Sequence, residues 1–330
     1  MGAGFHGFDG LNPVTSLKLV NAYVLPRLLL GLDAVVLNAS DVKSLDTYHR
    51  KLLRQLQGLP ESTANAAVYL LMGSIPIEGE WHKKILSMIG RIARLGEEHP
   101  LHLLAARQIS LGEKERPHSW FTMANKICTK YDICIIDALT TPWSKEQWKF
   151  RVKNAVNSHW RINLLREAQQ RSTLKWLLLD SDDGPNGVWE SCKTSPHLSR
   201  AATTRARALA GRLCIYEHSW RDTNKCPLCD LHDETMTHFL LQCTKLENIR
   251  KDLITKLIKF YSEEELPVPT SLPEMTSAIL NGDRFFSPTR LSIIKLKENS
   301  RDAHNLSSSI CHRLLRERDH QINTFLMEKY

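Results

Sequence analysis

Between Cys226 and Cys243 the chain reads CPLCDLHDETMTHFLLQC, which gathers three of its eight cysteines and two of its fourteen histidines. The other five cysteines, Cys128, Cys134, Cys192, Cys214 and Cys311, are scattered. That distribution is metal-site usage rather than a disulfide framework. Cys226-x2-Cys229 is the tight turn that lets two thiolates reach one ion, with Pro227 stiffening it; His238-x4-Cys243 supplies a second pair from a short helix. Positions five apart on an ideal α-helix point about 140° from each other. The helix must therefore fray or end before Cys243. Asp233 or Thr235 can cap its start, and Phe239 and Leu240 can pack inward while His238 turns to the metal. Four soft donors with no spare carboxylate suit one Zn²⁺ held structurally, with no open position for catalysis. His232 could replace His238, and Cys214-x3-His218 just upstream could form a second or alternative site that Cys192 and His197 would complete. Free cysteines filling a core are the plainer alternative, which the spacing disfavours.

Helical periodicity dominates the remainder. Val42, Leu45, Tyr48, Leu52, Leu53 and Leu56 recur on one face, with Lys43, Arg50, Lys51 and Arg54 largely elsewhere. Ser40 or Asp41 can cap this helix, and Gly58 with Pro60 ends it. A second helix is predicted from about Thr63 to Leu71, and a third carries Trp81, Ile85, Met88, Ile89, Ile92 and Leu95 as far as Gly96, decorated by Lys83, Lys84, Arg91 and Arg94. TTPWSKEQW opens a long helix, capped by Thr141 or by a Ser144 to Gln147 box, running past Trp160 toward Ala168. Gly184, Pro185, Asn186 and Gly187 form a break and the best internal boundary. LPVPTSLPEM reads as a proline-rich connector, and a final, largely polar helix starts at Ser287 and ends near Tyr330. Neither an internal repeat nor a run of alternating strands is evident.

Three short motifs suggest catalysis and fail on context. GAGFHG at Gly2, Gly4 and Gly7 has no preceding strand and no following helix for a dinucleotide site. Asp182 and Asp183 sit in turn chemistry with no acidic partner strand. His118 beside Ser119, and Ser158 beside His159, lack a nucleophile elbow and a third member.

The chain carries 44 Lys and Arg against 36 Asp and Glu, a net +8, which favours polyanionic partners. Its longest apolar run, LVNAYVLPRLLLGLDAVVL, is interrupted by Asn21, Pro26, Arg27 and Asp33, so no membrane partner is expected. The opening MGAGFHGFDG lacks a signal core. An intracellular location follows as the expectation, in nucleus or cytoplasm, not secreted.

CPLCDLHDETMTHFLLQCTKLENIR resembles the cysteine and histidine motif near the carboxyl end of reverse transcriptases of non-LTR (LINE-type) retrotransposons. The resemblance extends to residues 11–95, from LNPVTSLKLV to RIARL, which are similar to the helical thumb that follows the polymerase palm in that family. Its recognisable parts are the leucine- and proline-containing opening at Val24 to Gly31, the basic helix ending in LLRQLQGLP, and the turn LMGSIPI. From about Leu101 to His197 only a general helical character is shared. The spacing exceeds the C-x2-C-x4-H-x4-C knuckle of retroviral nucleocapsids by four residues.

The resemblance implies a mainly α fold: a thumb-like helical bundle (1–100), a helical connector (101–184), a basic segment with a small zinc-bound knuckle (185–250, knuckle 226–243) and a C-terminal helical tail (251–330). No Tyr-x-Asp-Asp hairpin or further catalytic aspartate is evident, so polymerase activity is not expected and no catalytic residue is assigned. It further implies binding to template RNA or target DNA. Lys43, Arg50, Lys51, Arg54, Lys83, Lys84, Arg91 and Arg94 would track a duplex backbone; Arg200, Arg205, Arg207, Arg212, Trp220, Lys225 and Phe239 would contact a single strand. A zinc-scaffolded protein-interaction module and a retroelement relic without a task are the alternatives; protein partners are not legible.

Overall fold

The computed structural model describes residues 11–115, 119–141, 143–177, 184–194, 196–213, 224–282 and 293–327. GAGFHG, His118, Pro142, the pair Asp182 and Asp183, Cys214, His218, Trp220 and Ser287 lie outside them. Regular structure among the described residues is helical, and their one β feature is an isolated antiparallel bridge between Lys225 and Asp233. In chain order the α-helices are α1 (Pro13–Leu19), α2 (Leu25–Leu28), α3 (Ala39–Gln57), α4 (Asn65–Met72), α5 (Ile77–Ala93), α6 (Pro100–Glu115) and α7 (Trp120–Lys130). They continue as α8 (Ile135–Thr140), α9 (Lys145–Gln169), α10 (Ser191–Thr194), α11 (Ser199–Leu209), α12 (Glu247–Glu263), α13 (Leu272–Asn281) and α14 (Ile293–Met327). None is long and apolar enough to cross a membrane.

The residues group into two compact units, each assembled from separated stretches rather than from one run of sequence. Unit one comprises the described residues up to Leu17, Leu53–Ser74 and those from Glu167 onward. Its core is a helical layer in which α14 is packed by α11, α12 and α13. Ala202, Ala206 and Leu209 of α11, Leu253 and Leu257 of α12, Ala278 and Ile279 of α13, and Ala303, Ile310 and Leu314 of α14 are buried there. Each large aliphatic side chain so buried is worth about 1.5–3 kcal/mol. Within the same unit, Trp189 donates its indole N–H to the Leu71 carbonyl at 2.9 Å. α4 stops at Gly73, whose φ of +62° only glycine adopts without strain. A Cβ there would also lie 2.1 Å from the Gly184 carbonyl carbon.

Unit two comprises Lys18–Leu52 and Ile75–Arg166. α5 supplies its buried stripe of Ile85, Leu86 and Ile89, with α6, α7 and α8 against it. Three indoles fix the arrangement by donating to backbone carbonyls: Trp81 to Leu32, Trp120 to Asp33 and Trp148 to Leu86, each at 2.8 Å. Tyr131 Oη meets His82 Nδ1 at 2.7 Å and accepts from Trp160 Nε1 at 3.0 Å.

The helices match the sequence reading in kind, with informative departures. α9 begins with the Ser144 and Gln147 reciprocal cap, Gln147 N–H to Ser144 Oγ at 3.2 Å and Ser144 N–H to Gln147 Oε1 at 3.1 Å. Tyr48 leaves the apolar stripe predicted for α3: it is 52% exposed, while His49 turns inward at 1%. In LPVPTSLPEM the second half is not a connector, because Ser271 and Glu274 form a capping box and Pro273 sits in the first turn of α13. A π turn over Val20–Val24 precedes α2, where Pro26 has no N–H to continue an α ladder.

Candidate metal centre

The loop that carries the first two cysteines is closed by backbone pairing. Cys226 N–H donates to His232 O at 2.8 Å, Glu234 N–H to Asn224 O at 2.8 Å, and the Lys225 to Asp233 bridge lies between them. Asp230 N–H returns to Cys226 O at 2.9 Å, with Asp230 itself at φ +55°. In this turn the backbone amides of Leu228 and Cys229 act to favour the Cys226 thiolate. Such N–H donors orient a metal-ligating thiolate.

The second pair arises from a helix that starts as expected and is wound differently. Thr235, not Asp233, caps it: its Oγ1 accepts from His238 N–H at 3.1 Å, and its carbonyl from Phe239 N–H at 2.9 Å. From His238 to Gln242 the backbone is a π turn, closed by Cys243 N–H to His238 O at 2.8 Å. The i→i+5 bond widens the turn, so His238 and Cys243 come to one side where an α-helix would splay them. Cys243 then leaves the helix at φ −60°, ψ 117°. Phe239 and Leu240 fill the core beneath, 1% and 0% exposed.

Cys226, Cys229, His238 and Cys243 thereby present four donor atoms within 4.8 Å of one another. Cys226 Sγ lies 3.8 Å from Cys243 Sγ, and Cys229 Sγ 3.4 Å from His238 Nε2. A tetrahedral centre with metal–sulfur bonds of about 2.3 Å and metal–nitrogen bonds of about 2.05 Å has edges of about 3.8 Å and about 3.5 Å. The four donors fit a metal ion. Burial lowers the His238 pKa, with the neighbouring His232 and Arg250 acting in the same direction, so its imidazole is neutral as ligation requires. The contact between the Cys226 and Cys243 sulfurs lowers the Cys243 thiol and raises that of Cys226, with burial adding to the latter.

A supporting layer that the sequence reading did not find surrounds the donors. Arg250, 5% exposed, donates to the Cys243 carbonyl at 2.7 Å and pairs with Glu247 at 2.9 Å. Glu234, 3% exposed, is bound by Arg318 of α14 at 2.8 Å. Spacing carries no signal for a partner 84 residues away. His232 is exposed, outside the donor group, and engages Cys226 through its backbone carbonyl. Cys192 is buried with its thiol directed to Trp189 O at 3.4 Å, and His197 is exposed; neither joins the group.

The predicted nucleic-acid residues are placed unequally. Arg205 is the clear correction: 0% exposed, it donates to Leu280 O at 2.7 Å and to His304 O at 3.2 Å, and contacts His304 Nδ1 at 2.8 Å. A guanidinium spent on core acceptors cannot meet a phosphate. Arg207 donates to Gly58 O, Arg212 to Ser62 O, and Arg54 to Thr63 O and Asn65 Oδ1, so each ties down its own unit's backbone. Arg50 pairs with Asp46 and Lys83 with Glu80, both at 2.9 Å. Lys43, Lys51, Arg91, Arg94, Arg200 and Lys225 are exposed, and Lys84 is half-buried. Phe239, expected to stack on a strand, is core. Comparison with protein-family models, curated proteins and solved structures yields no match to this chain.

Proposed function

We propose that this chain is the nucleic-acid-binding portion that follows the polymerase palm in a non-LTR retrotransposon reverse transcriptase, and that its Cys226, Cys229, His238 and Cys243 hold one structural Zn²⁺. The observation that carries the reading is the donor group itself, three sulfurs and one neutral imidazole within 4.8 Å of one another on a C-x2-C-x8-H-x4-C frame. Bound Zn²⁺ supplies a fold staple with no open position, and soft thiolates favour it over oxygen-seeking cations. The protein's own part is to order the loop between Cys226 and His238 and the start of α12. Exposed cations at Lys51, Arg91, Arg94 and Lys225 then contact phosphates without reading sequence.

Zinc content of the purified chain, beside a Cys226→Ser and Cys229→Ser double variant, tests the site. Binding of RNA and of single-stranded DNA across a salt series, on the same samples, tests the function. One zinc per chain, lost in the variant, with affinity that falls steeply as salt rises, is the expected outcome. A zinc stoichiometry of two with no binding to either polymer favours a zinc-scaffolded protein-interaction module instead.

A further inference from the structure

The net charge of the chain is not shared between its two units. Lys18–Leu52 and Ile75–Arg166 together hold 20 Lys and Arg against 12 Asp and Glu, a difference of +8. The remainder of the chain, which includes the metal centre, holds 24 against 24 and is neutral. Long-range attraction for a polyanion therefore originates in unit two.

Among the described residues the same unit displays the large exposed aromatics. Tyr23, Tyr48 and Phe150 are 65%, 52% and 68% exposed, and all three belong to unit two. Each stands on a helical segment with an exposed cation one turn on: Arg27 after Tyr23, Lys51 after Tyr48 and Lys153 after Phe150. Residues three or four apart share a helix face, so ring and cation point to the same side. Elsewhere Trp143, Trp160 and Trp176 each have a cation over the ring, from Arg151, Lys130 and Lys175. Among the described residues no cation covers Tyr23, Tyr48 or Phe150.

We propose that unit two is where this chain holds single-stranded nucleic acid, with unpaired bases stacking on Tyr23, Tyr48 and Phe150 and with Arg27, Lys51 and Lys153 engaging the adjacent phosphates. The inference rests on the nucleic-acid reading above and assigns the contact surface to unit two, whereas the metal donors belong to unit one. Ring stacking requires an unpaired base, which selects single strands over duplex, while the cations alone would accept either. Because any base offers a face to a ring, sequence preference is weak.

The test uses the full chain and three fluorescent probes: a 20-nucleotide oligouridine RNA, the corresponding DNA strand and a 20-base-pair duplex. Wild type is compared with Tyr23→Ala/Tyr48→Ala/Phe150→Ala, with the conservative Tyr23→Phe/Tyr48→Phe pair, and with Lys251→Gln/Lys256→Gln/Lys259→Gln on the exposed face of α12 in unit one. The alanine triple should lose about tenfold or more in single-strand affinity per ring removed, with duplex binding little changed and the phenylalanine pair like wild type. The unit-one lysine triple should change single-strand binding less than about twofold. Thermal melts confirm that the exposed substitutions leave the fold intact. Wild-type affinity in the alanine triple, or an equal loss in the unit-one triple, overturns the inference while leaving the nucleic-acid reading standing. Failure of the wild type to bind any of the three probes overturns both.

Discussion

Glu234 and Arg318 form an ion pair inside unit one, Oε1 lying 2.8 Å from both Nε and Nη2, with both side chains less than 5% exposed. The carboxylate belongs to the loop between the second cysteine and the ligand histidine, and the guanidinium to α14. The last long helix is thus tied to the metal-site loop by a buried ion pair.

Removing one partner should cost more than removing both. Arg318→Met leaves a buried carboxylate and should destabilise unit one by about 3–5 kcal/mol, whereas Arg318→Met with Glu234→Gln should recover much of that loss. Urea denaturation of the four species in a double-mutant cycle measures the difference. Equal stability of the single and double variants would falsify the linkage.

Donor chemistry can be probed one ligand at a time. His238→Cys replaces nitrogen by sulfur on the π turn and should retain the metal, while His238→Ala and Cys243→Ala should lose it. Cobalt substitution reads the geometry directly: a tetrahedral centre with three sulfurs gives intense visible ligand-field bands and sulfur charge-transfer bands. Weak octahedral bands in the wild type would contradict the arrangement of the four donors.

α5 and α9 meet at a glycine. A Cβ on Gly90 would lie 2.2 Å from the Trp148 indole, whose N–H donates to Leu86 O. Gly90→Ala should therefore cost about 1–3 kcal/mol although alanine favours a helix, because the rigid indole must move and its hydrogen bond lengthens. Shifts in denaturation midpoint and in tryptophan emission check this. A stabilised Gly90→Ala protein would mean that the two helices are not so closely seated.

Acid should weaken unit two through two buried imidazoles. Burial lowers His49 to about 4 and His82 to about 3, with Lys130 and His159 adding to the latter, so both rings are neutral in the folded chain. The unfolded chain takes up protons first, near pH 6.5, and stability falls as pH drops from there toward the folded values. The slope is about 1.4 kcal/mol per pH unit for each ring. Denaturation midpoints between pH 7 and pH 4.5 should show it, and His82→Gln, which keeps a partner for Tyr131, should flatten the curve. An unchanged slope in that variant removes His82 as a cause.

Local chemistry was legible in the sequence because it depends on neighbours in the chain. The helical character, the Ser144 and Gln147 cap, the stop at Gly58 and the four-donor set at Cys226, Cys229, His238 and Cys243 follow from propensity, capping and spacing. Periodicity assigned α3 an apolar stripe including Tyr48, yet a one-residue rotation buries His49 and exposes the ring, since the helix face is chosen by what packs against it. Arg205 sits among basic residues in sequence, and only the carbonyls of Leu280 and His304, supplied by α13 and α14, make it a core group. The Arg318 clamp and the concentration of charge in one unit were likewise decided by tertiary structure. Each depends on segments distant in sequence meeting in space, and pairwise proximity of that kind leaves no trace in composition or period.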